Sequence, residues 1–156
     1  MKKKIIILSI FLLLADIITK YVIDIKFNLM ETKEVIANFF SITKVYNYGA
    51  SWNILSGYRV LLIIITILIL IALFYYETKF LINVRNTIAF SLVYSGILGN
   101  LIDRIFNGYV IDFLDFKIFG YDYPVFNFAD ICIVCGIILL GIAIIKKEDL
   151  NEVSSK

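Results

Sequence analysis

Long apolar runs alternate with shorter polar stretches along the whole chain. A helix rises about 1.5 Å per residue, so roughly 20 apolar residues are needed to cross the hydrocarbon core of a bilayer. Runs that approach this length predict helices at residues 5–25, 58–77, 87–106 and 125–145. We therefore expect each run to span a membrane once.

The first run begins like a secretory signal peptide, because MKKK precedes a short apolar segment. The helical pattern nevertheless continues to residue 25, and charged residues stand where a small-residue cleavage site is expected. These are Asp16, Lys20 and Asp24, which are spaced four residues apart and so share one helix face. The sequence predicts a retained transmembrane helix whose charged stripe faces other protein.

Two longer polar stretches, residues 26–57 and 107–124, separate the spans on one side. In the first stretch, residues 32–34 have the composition of a turn, whereas β-branched and aromatic residues at 35–47 favour short strands. Residues 47–50 favour a second turn that contains a glycine. The aromatic residues suited to a membrane–water interface are Tyr46, Tyr48 and Trp52. We predict a small sheet on the bilayer surface, and we treat the second stretch as a loop.

The predicted fold is a mainly α membrane protein with four transmembrane helices and a small extracytoplasmic β-sheet, in one integral membrane domain over residues 1–156. Its composition agrees, because 61% of the residues are hydrophobic and the mean hydropathy is +0.91. A water-soluble domain of this size does not need so much apolar surface, so the solvent for most of the chain is lipid.

Composition also excludes several function classes. There is no histidine, which removes hydrolases with a histidine base and the HExxH metallopeptidases. Cys132 and Cys135 lie in an apolar helical run without further cysteine or histidine partners, so we interpret them as packing residues rather than a redox or zinc pair. We expect no metal and no cofactor. The net charge of +2 comes without a basic patch, which argues against a nucleic-acid partner.

The orientation follows from the basic residues near the ends of the spans. One side carries Lys2, Lys3, Lys4, Lys79, Arg85, Lys146 and Lys147, and the other carries Lys26, Lys33, Lys44, Arg59 and Lys117. The first group is concentrated in short segments, so we expect both termini to be cytoplasmic.

With this orientation, the polar residues inside the spans converge on one level near the outer surface. They are Asp16 and Lys20 in the first helix, Asn100, Asp103 and Arg104 in the third, and Asn127 and Asp130 in the first turns of the fourth. Asp112 follows the third helix, in the predicted loop just outside them. Structural roles are an alternative for some of these residues: Asp103 with Arg104, and Asp16 with Lys20, are both candidate buried ion pairs.

Two aspartates in apolar and aromatic surroundings, Asp112 in VIDF and Asp130 in FNFAD, suggest a chemistry. Two carboxyl groups that meet share one proton, which leaves one base to deprotonate water and one acid to protonate a carbonyl oxygen. An aspartic peptidase uses such a pair of carboxyl groups. The alternatives are that Asp112 and Asp115 are solvated loop residues and Asp130 is a helix cap, or that the carboxylates carry protons in a small proton-coupled transporter. Transporters tend to show repeated halves and a site at the midplane, and neither is visible here.

At these residues the sequence resembles the lipoprotein signal peptidases, the bacterial type II signal peptidases. The resemblance rests on five motifs in order, namely ADIITK, NYGASW, GILGNLIDR, VIDF and FNFAD, on a chain of matching length. A departure is Ser95, where the family often has a second glycine before Gly96; serine is also small, so little changes.

The resemblance implies that Asp112 and Asp130 are the catalytic pair. The residues implied to bind substrate or to support the site are Asp16, Lys20, Asn47, Gly49, Gly96, Asn100, Asp103, Arg104, Asn127 and Ala129. The implied substrates are prolipoproteins, cut just before a cysteine that carries a diacylglyceryl group, and the family also binds cyclic peptide inhibitors such as globomycin. The implied setting is the bacterial cytoplasmic membrane, in contact with its lipid, with a monomeric multi-pass enzyme whose active site is extracytoplasmic.

Overall fold

The computed structural model describes residues 2–50, 54–81 and 83–148. Its helices are α1 (Lys2–Lys26), α2 (Arg59–Glu77), α3 (Val84–Phe106) and α4 (Phe128–Ile145), and its strands are β1 (Thr32–Ile36), β2 (Phe40–Asn47), β3 (Val110–Ile118) and β4 (Tyr121–Asp122). Within the described ranges, four helices are long and apolar enough to cross a membrane. The predicted fold class, four spans with a small sheet, is confirmed.

Helix α3 lies at the centre of the bundle and packs against the other three helices. Small residues make this possible, because they let helix backbones approach closely in lipid. A Cβ added to Gly96 would contact the carbonyl oxygen of Ala129 and, at 2.7 Å, the side chain of Ile133. Gly136 is equally close to Val93 from the α4 side. The contact between α3 and α4 therefore depends on glycine from both helices.

The four strands form one antiparallel sheet in the order β1-β2-β3-β4. The predicted turn at residues 32–34 is wrong, because these residues begin β1. The chain instead reverses at residues 37–39, where Asn38 adopts a left-handed φ of 55° that asparagine tolerates well.

The treatment of residues 107–124 as a loop is also wrong, because this stretch supplies β3 and β4. Asp112 and Asp115 interrupt the apolar pattern of β3, which obscured the strand in the sequence. Strand pairing places Asp112 opposite Val45 and Val110 opposite Asn47. The strand β3 therefore carries Asp112 at a defined position beside β2.

A β-bulge in β2, between Ile42 and Val45, joins the sheet to the C-terminal end of α1. Lys44 lies in this bulge and is buried. Its Nζ donates to the backbone oxygens of Asp24 at 2.8 Å and Phe27 at 3.0 Å, and it pairs with the Asp24 carboxylate at 2.8 Å. A cation is favourable at a helix C-terminus, where the last carbonyl groups lack partners.

Candidate active site

A fully buried ammonium group lies at the base of the site. Lys20 Nζ is 2.8 Å from Asp16 Oδ2 and 2.9 Å from Asp103 Oδ2, and it donates to Asn100 Oδ1 at 3.0 Å. An ammonium has three donor directions, so all three are used. The predicted Asp16–Lys20 pair is present, whereas the suggested Asp103–Arg104 pair is wrong, since Asp103 binds Lys20 instead.

Asp16 also ties α1 to the start of α4. Its Oδ1 accepts a hydrogen bond from the backbone N–H of Ala129 at 3.0 Å, and Ala129 is itself fully buried. The carboxylate lies against Gly99, where a Cβ would occupy its place. Gly99 is therefore required to be small, although it is not among the site residues that the family resemblance implied.

Asn100 forms hydrogen bonds to both Lys20 and Asp130 and so links the two residues. Its Oδ1 accepts from Lys20 and also from Asn127 Nδ2 at 3.1 Å, while its Nδ2 donates to Asp130 Oδ1 at 2.8 Å. Because an ammonium can only donate, Lys20 fixes which side of the amide carries the oxygen. The amide nitrogen of Asn100 must then point at Asp130.

Asp130 and Asn127 form a capping box at the start of α4. The Asn127 side chain accepts from Asp130 N at 3.0 Å, and Asp130 Oδ2 accepts from Asn127 N at 3.1 Å. Asn127 is thus the N-cap residue, whereas Asp130, which one alternative proposed as a helix cap, is the third residue of the helix and directs its other oxygen at Asn100. The Asp130 carboxylate thus lies at the N-terminus of α4 and accepts from two N–H donors, Asn127 N and Asn100 Nδ2.

Asp112 is buried, with only 3% of its surface exposed, so it is neither a solvated residue nor part of a loop. Its Oδ1 accepts from Asn127 Nδ2 at 2.6 Å and its Oδ2 accepts from Asn47 Nδ2 at 2.9 Å. Burial, and after it the negative charge of Asp130, raise the pKa of Asp112 to about 7. Near neutral pH this carboxyl therefore retains a proton for a large part of the time.

Asp115 differs from Asp112, although it stands only three residues away on the same strand. Its carboxylate accepts a hydrogen bond from Thr43 Oγ1 at 2.6 Å, and it has no described contact with the network of Asn127. The structure therefore separates the two aspartates of β3, as one belongs to the buried polar cluster and the other to the surface of the sheet.

Arg104 closes the polar cluster beside the turn after β2. Its Nη2 donates to the backbone oxygen of Gly49 at 2.7 Å, and the N–H of Gly49 donates in turn to Asn47 Oδ1 at 2.9 Å. The guanidinium interacts electrostatically with Asp130 and Asp112. Arg104 therefore holds the Asn47–Gly49 turn near the two carboxyl groups and places a positive charge beside them.

A cavity of about 820 Å³ opens next to the two carboxyl groups. Its polar lining comes from Asn47, Asn100, Arg104, Asp112 and Asp130. The rest of its lining is mainly apolar and includes Ile69 of α2 beside Thr66, Ile97 of α3, Ile131, Val134 and Ile137 of α4, and Phe116, Tyr123 and Phe126 near the sheet. The cavity thus extends from the carboxyl groups between α2 and α4.

All of the site residues named from the sequence lie in or against this cluster, and Gly96 lies one helical turn before Asn100 on α3. Sequence reasoning missed the apolar wall of the cavity, since a membrane-spanning helix offers no signal that separates a cavity residue such as Ile131 from a lipid-facing one. Among the described residues, no group of three histidine, cysteine or carboxylate side chains is arranged to hold a metal ion.

Four apolar helices, with one buried and one half-buried carboxyl group bridged by one asparagine beside a largely apolar cavity, define a multi-pass membrane protein with a two-carboxyl site. The model of the family described as signal peptidase (SPase) II matches residues 8–146. Lipoprotein signal peptidases of Staphylococcus aureus strains JH9 and Newman are each 46% identical over 142 residues, which cover 90% of this chain and 87% of theirs. The chain belongs to the signal peptidase II family.

Solved structures support the same assignment. One, described as a bacterial membrane enzyme at 2.3 Å resolution, superimposes with a TM-score of 0.81 at 43% identity and covers 91% of this chain and 87% of its own. A second with the same description, at 1.9 Å resolution, gives a TM-score of 0.78 at 43% identity, with 91% and 92% of the two chains covered. The predicted family is therefore confirmed by sequence and by fold.

Proposed function

We propose that this chain is an aspartic endopeptidase that removes signal peptides from prolipoproteins, with Asp112 and Asp130 as its catalytic pair. Family membership supports the peptidase activity and the substrate class. The observation that carries the aspartic mechanism is the position of Asn127, which forms a capping box with Asp130 and donates a hydrogen bond to Asp112. One residue thus fixes both carboxyl groups at the polar end of one cavity.

The two aspartates have different surroundings, which support different resting roles. Asp130 accepts a hydrogen bond from Asn100, lies at the N-terminus of α4 and interacts with the charge of Arg104. Asp112 is buried, and its raised pKa favours the protonated form. In the resting pair, Asp130 is therefore the base and Asp112 the acid, within a titration that both groups share.

The reaction then needs only water and these two groups. Asp130 accepts a proton from water as the water oxygen bonds to the scissile carbonyl carbon, and Asp112 donates its proton to the carbonyl oxygen. As the tetrahedral intermediate collapses, the carbon–nitrogen bond breaks and the leaving amine takes the proton from Asp130. Asp112 recovers a proton from the hydroxyl group, and the pair returns to its starting state.

The remaining polar residues position this pair. Asp16 and Asp103 hold Lys20, Lys20 orients Asn100, and Asn100 orients Asp130. Asn47, Gly49 and Arg104 border the cavity and offer hydrogen bonds to the backbone of a bound peptide. Gly96 and Ala129 allow the close approach of α3 and α4 on which the position of Asp130 depends.

The substrate is a precursor cut just before a cysteine that carries a diacylglyceryl group. Its acyl chains enter the apolar part of the cavity between α2 and α4 from the bilayer, and cyclic peptides of the globomycin type occupy the same cavity.

The enzyme acts as a monomer in the cytoplasmic membrane, with both termini cytoplasmic and the site on the outer side. The distribution of lysine and arginine supports this orientation. The transporter alternative finds no support in the comparisons.

The test is to incubate purified protein with a lipidated precursor and to measure the product masses. We expect one cut immediately before the lipidated cysteine. Asp112→Asn and Asp130→Asn should each lower the rate by about 10²–10⁴-fold or more, because an amide keeps the volume but cannot cycle a proton. Asp115→Asn is the matched control on β3 and should stay near the wild-type rate. Near wild-type cleavage by either variant of the pair would rule out the mechanism.

A further inference from the structure

The turn between β3 and β4 presents a fully exposed aromatic side chain. Phe119 has 105% relative exposure, the highest among the large apolar residues of the described chain. It is followed by Gly120, and Ile118 pairs directly with Tyr121 across this two-residue turn. Phe119 and Gly120 have φ values of 50° and 79°, as a type I′ hairpin turn requires.

Neither the backbone nor packing within the protein explains a phenylalanine at this position. The first position of such a turn favours asparagine, aspartate or glycine, which adopt a positive φ with little strain. Phe119 accepts that strain, and its complete exposure shows that the side chain contributes no packing to the fold. In water, both the strained φ and the exposure of the apolar ring would be unfavourable, which indicates that the side chain lies in surroundings other than water.

The neighbours of Phe119 indicate what those surroundings are. Ile118 and Tyr121 are also exposed, and the tip is flanked by an ion pair between Lys117 and Asp122 at 3.2 Å. Apolar and aromatic side chains next to charged ones are typical of the membrane–water interface, where rings of this kind are favoured.

The hairpin is also continuous with the membrane-spanning surface. Ile118 and Tyr123 line the same cavity as Ile131 and Val134, which lie in the outer half of α4. The hairpin therefore reaches the level at which the helix bundle leaves the hydrocarbon core.

We propose that the β3–β4 hairpin inserts Phe119 and Tyr121 into the interface of the outer leaflet and anchors the sheet to the bilayer. The anchor holds one wall of the cavity at the depth from which a lipid-linked substrate enters. This inference rests on the outward orientation of the sheet and not on peptidase activity. A surface for the released lipoprotein and a contact with a second copy of the chain are the competing occupants.

The depth of the tip can be measured by tryptophan fluorescence. The chain has a single tryptophan, Trp52, so Phe119→Trp in a Trp52→Phe background reports on the tip alone. A tryptophan replacing a fully exposed side chain disturbs no packing, and Tyr121→Trp in the same background provides an independent second probe. Lys33→Trp, on the exposed edge strand β1, serves as the reference for water, and Ile138→Trp, on the exposed face of α4, for the bilayer interior.

In vesicles without substrate, we expect emission from position 119 to be blue-shifted relative to position 33 and shielded from aqueous iodide. Lipids brominated close to the headgroup should quench it more than lipids brominated near the terminal methyl group, whereas position 138 should show the reverse preference. Iodide-accessible emission that brominated lipid does not quench would overturn the proposal. A shift that requires added precursor, or one that grows with the number of proteins per vesicle, would also overturn it in favour of substrate or a second copy. None of these readouts needs turnover, so the peptidase proposal is tested separately.

Discussion

Asn127 shows how much of the site depends on single polar side chains. Its side-chain oxygen, Oδ1, accepts a hydrogen bond from Asp130 N and so caps α4. Its side-chain nitrogen, Nδ2, donates both to Asp112 Oδ1 and to Asn100 Oδ1. Asn127 is completely buried, so each of these groups is satisfied away from bulk water, where an unmade hydrogen bond is expensive. The geometry of the two carboxyl groups therefore follows from a connected network rather than from separate pairs.

The buried carboxyl of Asp112 predicts a pH-dependent stability. Its pKa is about 7 in the folded protein against 3.8 for an ordinary aspartate, so the folded state binds more protons than the unfolded state between these values. The free energy of unfolding must then fall as pH rises through this window. We expect wild-type protein to lose a few kcal/mol relative to Asp112→Asn between about pH 4 and about pH 7.

Thermal or denaturant unfolding of both proteins in one detergent, across this pH range, measures the difference. The comparison uses the slope with pH and not the stability at any one pH. In the Asp112→Asn variant, the new amide would face the donors Asn47 and Asn127, which adds a penalty that does not change with pH. Parallel stability curves for the two proteins would contradict the raised pKa.

Individual site residues were predictable from the sequence to the extent that charge in an apolar run is unusual. Asp16, Lys20, Asn100 and Asp130 stood out because polar groups inside a membrane are expensive and usually face protein. Their partners were less predictable, as Asp103 shows. Its contact with Lys20 depends on how α1 and α3 are rotated against each other, which the spacing within one helix does not determine.

At the scale of elements, the contact between α3 and α4 determines where Asp130 lies relative to Asp112. This contact is close because Gly96 leaves no side chain between α3 and the backbone of α4. Gly141, farther along α4, has no atom within 4 Å of an added Cβ and offers a matched control on the same bundle.

We expect Gly96→Ala to lower the free energy of unfolding by about 1–3 kcal/mol, since the new methyl group must push α4 away from α3. Gly141→Ala should leave stability unchanged or raise it slightly, because alanine favours the helix over glycine. Unfolding of both variants in the same detergent provides the comparison. Equal stabilities would mean that the α3–α4 contact tolerates displacement and does not depend on Gly96.

The elements differed in how well the sequence predicted them. Helices were predictable because crossing a bilayer demands a long apolar run, which few other structures need. Strand β3 was not, because its two aspartates face different environments and disrupt any alternation. Asp112 points into the buried cluster, while Asp115 accepts from Thr43 on the sheet. The strand is recognisable only from its pairing with β2.

At the scale of the whole molecule, the orientation in the membrane decides which compartment the site serves. A cysteine introduced at Lys33, on the exposed strand β1, should react with a membrane-impermeant thiol reagent in intact cells, whereas one at Thr78, between α2 and α3, should react only after the membrane is opened. Both residues are exposed. The parent chain, with Cys132 and Cys135, provides the background labelling. The opposite pattern would place the two carboxyl groups on the cytoplasmic side and exclude an extracytoplasmic peptidase.

The shape of the whole molecule also predicts how the substrate's lipid is used. In the described part of the chain, the polar cluster lies at one end of a bundle of four spans, and its cavity runs between α2 and α4 with isoleucine and valine along the wall. There is little protein to enclose a peptide, so a substrate needs its own anchor at the cut. Buried acyl chains contribute about 0.8 kcal/mol per CH₂ group. Part of that free energy is available to hold the scissile bond against Asp112 and Asp130 in the transition state.

A precursor with an unmodified cysteine should therefore be cut far more slowly than the diacylglyceryl form, with a loss in kcat as well as a rise in KM. Lipid that only tightened binding would change KM alone, because ground state and transition state would gain equally. The two rates are to be measured at saturating substrate in one preparation of nanodiscs, with Asp112→Asn as the blank for uncatalysed cleavage. Equal kcat values for the two precursors would show that the acyl chains do not position the scissile bond. The cavity between α2 and α4 would then need another occupant.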